Sequence, residues 1–363
     1  MKKAILVTLA VGGALAFLLA ILLFLGPYHT ANWDTEPVRL NVPQGCSYDA
    51  LLDSLDAHQV VLRKAPVALV FNLEARVLGL DKHVRPGSYL VPRNMKILTL
   101  VRKLRNGQQD PIRLTIGKFR LPQDLNAYLN KKLMHDDFNV PLASFHLVLP
   151  DTYEFYWTVT PEQFMERMEK EYAKFWEVKR SEKGVKGSER TNAGNDTIVL
   201  PLTPSHSLSL QEIIILASIV EEETNHGPEK GHVASVYLNR LKRGMPLQAD
   251  PTVKYAVATS CSPSQGELTA QQAEGFAIKR ILHKHLATES PFNTYLHPGL
   301  PPAPICLPSK ATIEAVLNAP QTDYLYFCAS PAMDGTHRFA ATLAEHNANA
   351  AAFHRALNAR GIR

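Results

Sequence analysis

The chain has 363 residues, 45% of them hydrophobic, so it carries core material for two or more domains and is not a disordered segment. Its 39 basic and 34 acidic residues leave a formal charge of +5 with no long basic tract, which gives nucleic-acid binding no support. Cys46, Cys261, Cys306 and Cys328 are widely spaced and form no CxxC pair, which argues against a zinc or thioredoxin-like site.

Lys2 and Lys3 precede an uncharged run from Ala4 to Gly26, longer than the roughly 20 residues that cross a bilayer. The exit, Pro27 Tyr28 His29 Thr30 Ala31, is a poor cleavage site, so residues 1–27 read as a cytoplasmic end and an uncleaved single-pass transmembrane helix. The positive-inside rule then puts the rest of the chain outside the inner (cytoplasmic) membrane, in the periplasm.

Residues 28–37 read as a linker and 38–110 as a small α+β module. Val38 to Val42 suggests a strand, and Ser47 is placed to cap a short helix carrying Leu51, Leu52 and Leu55. A helix from Pro66 to Leu80 ends near Gly79, Pro86 and Gly87 turn into a strand at Ser88 to Val91, and Asn94 is expected to cap a helix with Ile97, Leu98, Val101 and Leu104.

Residues 111–363 read as a larger mixed α+β domain, so the fold class is α+β throughout. Alternation of Ile112, Leu114 and Ile116 marks its first strand. Thr160 Pro161 Glu162 Gln163 opens a helix whose stripe is Phe164, Met168, Tyr172, Phe175 and Trp176, and residues 179–207 read as a polar surface excursion.

Ser209 and Glu212 fit a capping box for a helix that is apolar on nearly every side from Ile213 to Val220 and ends in Glu221, Glu222 and Glu223. Acids there face the negative end of the helix dipole and greasy surface, and both effects are expected to raise a carboxyl pKa, as a general acid requires. Periodicity does not choose among the three, since each has an apolar neighbour on the wheel, and a solvated turn is the competing reading.

Gly227 and Pro228 start the next helix, with Val233, Val236, Tyr237 and Leu241 inward and Arg240, Lys242 and Arg243 at its carboxyl end before Gly244. Residues 268–287 look helical, and six prolines from Pro291 to Pro308 impose an extended loop. A strand from Tyr324 to Ala329, a partner at Arg338 to Ala340 and a helix from Thr342 to Leu357 close the chain.

A glycan groove needs polar groups and aromatic faces projecting from loops around an acid. Tyr153, Glu223, Gln248, Asp250, Thr252, Asn293 and Tyr295 are the candidates, with turn chemistry or packing as the alternative for each. Glu223 with Thr224 is expected to cap the helix junction or hydrogen-bond behind the reacting carboxyl. No HExxH spacing exists and no metal or cofactor is expected, while Ser218 lacks a nucleophile-elbow setting and reads as a packing residue.

The string Leu216 Ala217 Ser218 Ile219 Val220 Glu221 Glu222 Glu223 Thr224 resembles the signature of the YceG-like (MltG) family of endolytic murein transglycosylases. Pro150–Tyr153, Val236–Leu241, Met245–Val253, Ser290–Tyr295, Gly299–Ile305 and His337–Phe339 agree with it in order. The resemblance implies a LysM-like module on the amino-terminal side, an extracytoplasmic site with Glu221 as its catalytic acid, peptidoglycan glycan strands as substrate, and cooperation with penicillin-binding wall synthases. It further implies cleavage of the β-1,4 bond between N-acetylmuramic acid and N-acetylglucosamine to leave 1,6-anhydro ends. One carboxyl then serves as acid and later base, kept protonated by burial and by repulsion from Glu222 and Glu223. Two other readings compete: a hydrolytic muramidase pairing Glu221 with a second acid such as Asp250, and a non-catalytic peptidoglycan-binding scaffold.

Overall fold

A computed structural model of the chain describes residues 12–13, 29–30, 36–64, 66–182, 197–198, 208–260, 276–278 and 280–361. The expected membrane span at 4–26 lies outside them except for Gly12 and Gly13, and among the described residues no helix is long and apolar enough to cross a membrane. The architecture is mixed α+β, in two compact units.

The first unit comprises the chain up to Leu114 with 132–135 and 154–159. Strands β1 (Val38–Val42) and β2 (Gly87–Val91) pair antiparallel, Val38 opposite Val91 and Leu40 opposite Tyr89. Their alternate residues Leu40, Val42, Tyr89 and Val91 point into a core shared with helices α1 (Tyr48–Ala57), α2 (Pro66–Leu78) and α3 (Ile97–Asn106). Ser47 caps α1 by accepting from the Ala50 N–H at 3.1 Å, as its position predicts. Asn94 does not cap α3: it sits at φ +53° in the preceding turn, Lys96 is the N-cap, and no side chain bonds there. Gly107 closes α3 at φ +67°, a left-handed conformation that a side chain would strain. Residues of the expected linker join this unit, for the Thr30 N–H donates to the Met95 carbonyl at 2.8 Å and the Met95 N–H to Thr30 Oγ1 at 3.0 Å.

Strands β3 (Ile112–Ile116) and β4 (Asp151–Phe155) form a two-stranded sheet. In the second unit, α4 (Pro122–Lys132) is followed by a 3-10 turn at Leu142–Leu147 and by α5 (Pro161–Glu182). Thr160 and Gln163 exchange the two bonds of a capping box at the start of α5. The helix runs to Glu182, into the stretch expected as a surface excursion, most of which lies outside the described residues.

Two-residue strands β5 (Thr197–Ile198) and β6 (Leu208–Ser209) pair just before α6 (Leu210–Glu223), the helix at the centre of this unit. Every residue from Ile213 to Val220 is buried, and α7 (Lys230–Lys242), α8 (Asp250–Thr259) and α10 (Lys310–Leu317) pack around it. Of the expected helix 268–287, only Phe276 and the short α9 (His283–Leu286) are helical among the described residues. Asp250, for which turn chemistry is the alternative to a groove role, begins α8, with Pro251 in the first turn where a proline is tolerated. Strands β7 (Tyr326–Ala329) and β8 (His337–Ala340) pair antiparallel with Tyr326 opposite Ala340, and α11 (Leu343–Ala359), capped by Thr342 and Glu345, packs on them.

One side chain conflicts with the first unit's core. Glu74 on α2 is 2% exposed, its Oε2 has no hydrogen-bond partner, and burial pushes its pKa up to about 7 against the pull of Arg102. The folded state therefore holds a proton that the unfolded chain releases near pH 4.5. Stability from that proton is full below the unfolded value and is lost as pH rises through about 7, an effect of about 3 kcal/mol. Urea unfolding between pH 5 and 8 should show a decline that Glu74→Gln removes; parallel curves for the two proteins would refute it.

Candidate active site

The end of α6 presents three consecutive carboxyls, and successive residues of a helix point about 100° apart. Each consequently meets a different neighbour. Glu221 turns toward the starts of α7 and α10. Its Oε2 accepts from Lys230 Nζ at 3.0 Å, from Ser309 Oγ at 3.0 Å and from Thr312 Oγ1. The Ser309 backbone N–H also points at it at 3.4 Å, and Ser309 caps α10, so the carboxylate stands at a helix amino terminus.

Burial raises the Glu221 pKa, but the bonds from Thr312, Lys230 and Ser309 together outweigh it, and the carboxyl lies below its ordinary value. This reverses the expectation from the sequence. The reason is tertiary: the cation and the hydroxyls come from positions 9 to 91 residues away, and no local pattern announces them. Lys230 also donates to Thr312 Oγ1 at 2.7 Å, which fixes its ammonium.

Glu222 is gripped by Arg120 through two bonds, Nε at 3.2 Å and Nη2 at 2.9 Å, and by Lys118 Nζ at 2.9 Å. Burial would raise its pKa; these cations hold it below the ordinary value. Its role is therefore an ion-pair anchor for 118–120, not repulsion that keeps Glu221 protonated.

Glu223 has the opposite surroundings. Tyr237 Oη of α7 donates to its Oε1 at 2.5 Å, as the expected hydrogen bond behind the reacting carboxyl would, while Thr224 Oγ1 accepts from the His226 N–H at 3.0 Å. Desolvation, with Asp250 adding repulsion, pushes the Glu223 pKa up to about 7 despite the Tyr237 bond. The carboxyl that holds a proton near neutrality is Glu223.

The other sequence candidates divide. Tyr153 is buried and its hydroxyl donates to the Leu149 carbonyl at 2.7 Å, so it fastens β4 to the preceding loop. Thr252 is fully buried, bonded to the Ala249 carbonyl at 2.6 Å and to Thr294 Oγ1 at 2.8 Å, and Asn293 is fully buried with its amide on the carbonyls of Leu286 and Thr288 at 2.9 Å. Both are structural clamps, because their polar atoms are already used inside the fold. Gln248 is exposed at φ +50°, with its N–H on the Thr294 carbonyl at 3.1 Å. Tyr295 donates to Asp250 Oδ1 at 2.8 Å, and this pair stays accessible.

Ser218, read as a packing residue, donates to the Ile215 carbonyl at 2.7 Å and accepts from the Ile305 N–H at 3.0 Å, which ties the proline-rich loop to α6. Lys230, Ser309, Thr312, Lys118 and Arg120 escaped the sequence reading. The serine three residues before a threonine at the start of an apolar run, Ser309 and Thr312, was the available helix-start signal. Arg240 stands in the last turn of α7, as expected, and is buried there, donating to the carbonyls of Leu325 and Leu247 at 2.7 Å. Among the described residues no three His, Cys, Asp or Glu side chains gather as metal ligands would.

The YceG-like family model matches residues 40–352. An endolytic murein transglycosylase of Bacillus subtilis (strain 168) is 39% identical over 142 residues, 39% of this chain and 34% of the relative. An endolytic murein transglycosylase of Streptococcus pneumoniae serotype 2 is 34% identical over 149 residues, 40% of this chain and 24% of the relative. The aligned stretch thus spans about a third or a quarter of the curated relatives. A crystal structure of a yceG-like protein from Listeria monocytogenes covers 86% of this chain and 98% of that one at 22% identity, with a TM-score of 0.46.

The three environments are separable by carboxyl-carbon NMR titration. Lys230→Met should raise the Glu221 pKa, since burial then acts against fewer donors, and Tyr237→Phe should raise that of Glu223 further. Unchanged titration in both variants would show that these contacts do not set the charges.

Proposed function

The chain belongs to the YceG-like family, and on that premise we propose that it is an endolytic murein transglycosylase, cutting the β-1,4 bond between N-acetylmuramic acid and N-acetylglucosamine within nascent glycan strands. The observation that carries the reading is the geometry of Glu221: every hydrogen bond drawn above falls on Oε2, leaving Oε1 for a glycan.

In this reading protonated Glu221 donates from Oε1 to the leaving glycosidic oxygen as the bond to the muramyl anomeric carbon breaks. Lys230, Ser309 and Thr312 stabilise the carboxylate this leaves. The carboxylate then removes the proton of the muramyl C6 hydroxyl as that oxygen attacks the anomeric carbon, closing the 1,6-anhydro ring and returning Glu221 to its acid form. Water is not consumed. The three donors make the acid strong, which favours proton donation once Glu221 is protonated, and they weaken the carboxylate as the base of the second half; protonation of the free protein limits the first half.

A second assignment has its own support, because Glu223 is the carboxyl protonated near neutrality. Within the same proposal, residues 4–26 anchor the protein as a single pass in the inner membrane, the catalytic unit faces the periplasm, the LysM-like module at 38–110 positions glycan, and penicillin-binding synthases supply the strands. Asp250 and Tyr295, with Gln248, line the groove; Tyr153, Thr252 and Asn293 support it from within.

Glu221→Gln should lower release of anhydro ends from purified glycan strands by about 10²-fold or more, with mass spectrometry distinguishing them from the reducing ends of a muramidase. A variant that cleaves at the normal rate would eliminate Glu221 as the acid, and wild-type protein that yields no cleavage would favour the scaffold reading. The pH profile separates the two glutamates. With Glu221 as donor, kcat/KM should fall as pH rises from below the ordinary carboxyl range, whereas with Glu223 it should hold until about pH 7.

A further inference from the structure

Beside Glu222 the second unit has a pocket lined by Arg120, Pro251, Lys254, Tyr255, Phe276 and Ile305, and the reaction proposed above does not use it. Its walls are of two kinds. Tyr255 and Ile305 are buried against the core and, with Pro251, give an apolar surface. Arg120 is doubly fixed, bidentate on Glu222 and stacked over the Phe276 ring at 5.3 Å, and Lys118 completes the partnership of Glu222. The Glu222 charge is thereby spent on two cations.

Lys254, on α8, is half-buried at the pocket wall and forms no ion pair among the described residues. The acids near it are engaged elsewhere: Glu223 holds its proton up to about pH 7, Asp124 acts on Arg120, and Asp250, one turn earlier on α8, accepts from Tyr295 Oη at 2.8 Å and forms no ion pair with Lys254. A pocket lined by an ammonium, a fixed guanidinium and apolar side chains suits a ligand that has both a hydrocarbon stem and a carboxylate. A disaccharide whose peptide has been removed keeps only the short lactyl carboxylate beside the sugar ring. The peptide attached to the muramyl lactyl group carries its carboxylates on a longer stem, and Glu222 lies one residue from the proposed acid.

We infer that this pocket is a subsite for the carboxylate-bearing stem peptide of the glycan strand, with Lys254 as its recognition cation. The inference deepens the proposed function and rests on it for the identity of the strand. Strand recognition would then require the peptide as well as the sugar, so stripped glycan is the poorer ligand.

The test uses the full-length chain carrying Glu221→Gln, so that turnover does not consume the probe. Dissociation constants are measured for glycan strands bearing tetrapeptides and for the same strands stripped by an amidase. The parent should bind the peptide-bearing strands more tightly. Lys254→Glu should reduce that preference about tenfold, Lys254→Arg should keep it, and added salt should weaken it. A preference unchanged by Lys254→Glu, or no preference in the parent, would overturn the subsite. Failure of the proposed reaction is distinct: it would appear as absence of anhydro ends from the Glu221 protein, whatever the binding ratio.

Discussion

Burial of α6 on all sides is the constraint from which the rest of the second unit follows. A helix with no solvent face through Ile213–Val220 must be enclosed by other elements, and α7, α8 and α10 do so. Its last turn then emerges among three different walls. Carboxyls that begin as chemically equivalent residues become an ionised group on Lys230, an ion-pair anchor on Arg120 and Lys118, and a protonated group under Tyr237. Their separation is electrostatic, and packing creates it.

The same enclosure explains why so many motif residues are occupied inside the fold. Loops that must pass close to α6 carry backbone groups that need partners in the absence of water. Ser218 satisfies one at Ile305, Thr252 and Thr294 satisfy the backbone at Ala249, Asn293 takes two carbonyls, and buried Arg240 takes those of Leu325 and Leu247. Such residues hold the loops against α6 and have their polar atoms spent inside the fold. Gln248 and the Asp250–Tyr295 pair, by contrast, stay accessible, and Lys254 is half-buried one turn beyond Asp250 on α8.

Local signals identified elements well where one residue's chemistry sufficed. Ser47, Thr160, Ser209 and Thr342 each announce a helix start that the fold honours, because a capping hydroxyl acts on a backbone N–H within three residues. Asn94 failed because a positive φ in the turn put its side chain out of register with the helix. The helix at Asp250 is hidden because Asp before Pro is equally a turn signal, and the eight-residue helix at Lys310 follows a proline-rich loop and offers too short a period. Arg120 and Lys118 carried no motif at all.

By itself the sequence determined the α+β class, the central apolar helix with its capping box, the acidic triplet at its end and the family to which the ordered motifs belong, since each depends on residues near one another or in fixed order. It also yielded a direction for the Glu221 pKa, and that direction was wrong. Only the tertiary structure decided the charges of the three glutamates, because a carboxyl's proton affinity is set by the groups within a few ångströms of its oxygens. Lys230, Ser309, Thr312, Arg120, Lys118 and Tyr237 reach those oxygens from other elements, and the fold alone brings them there.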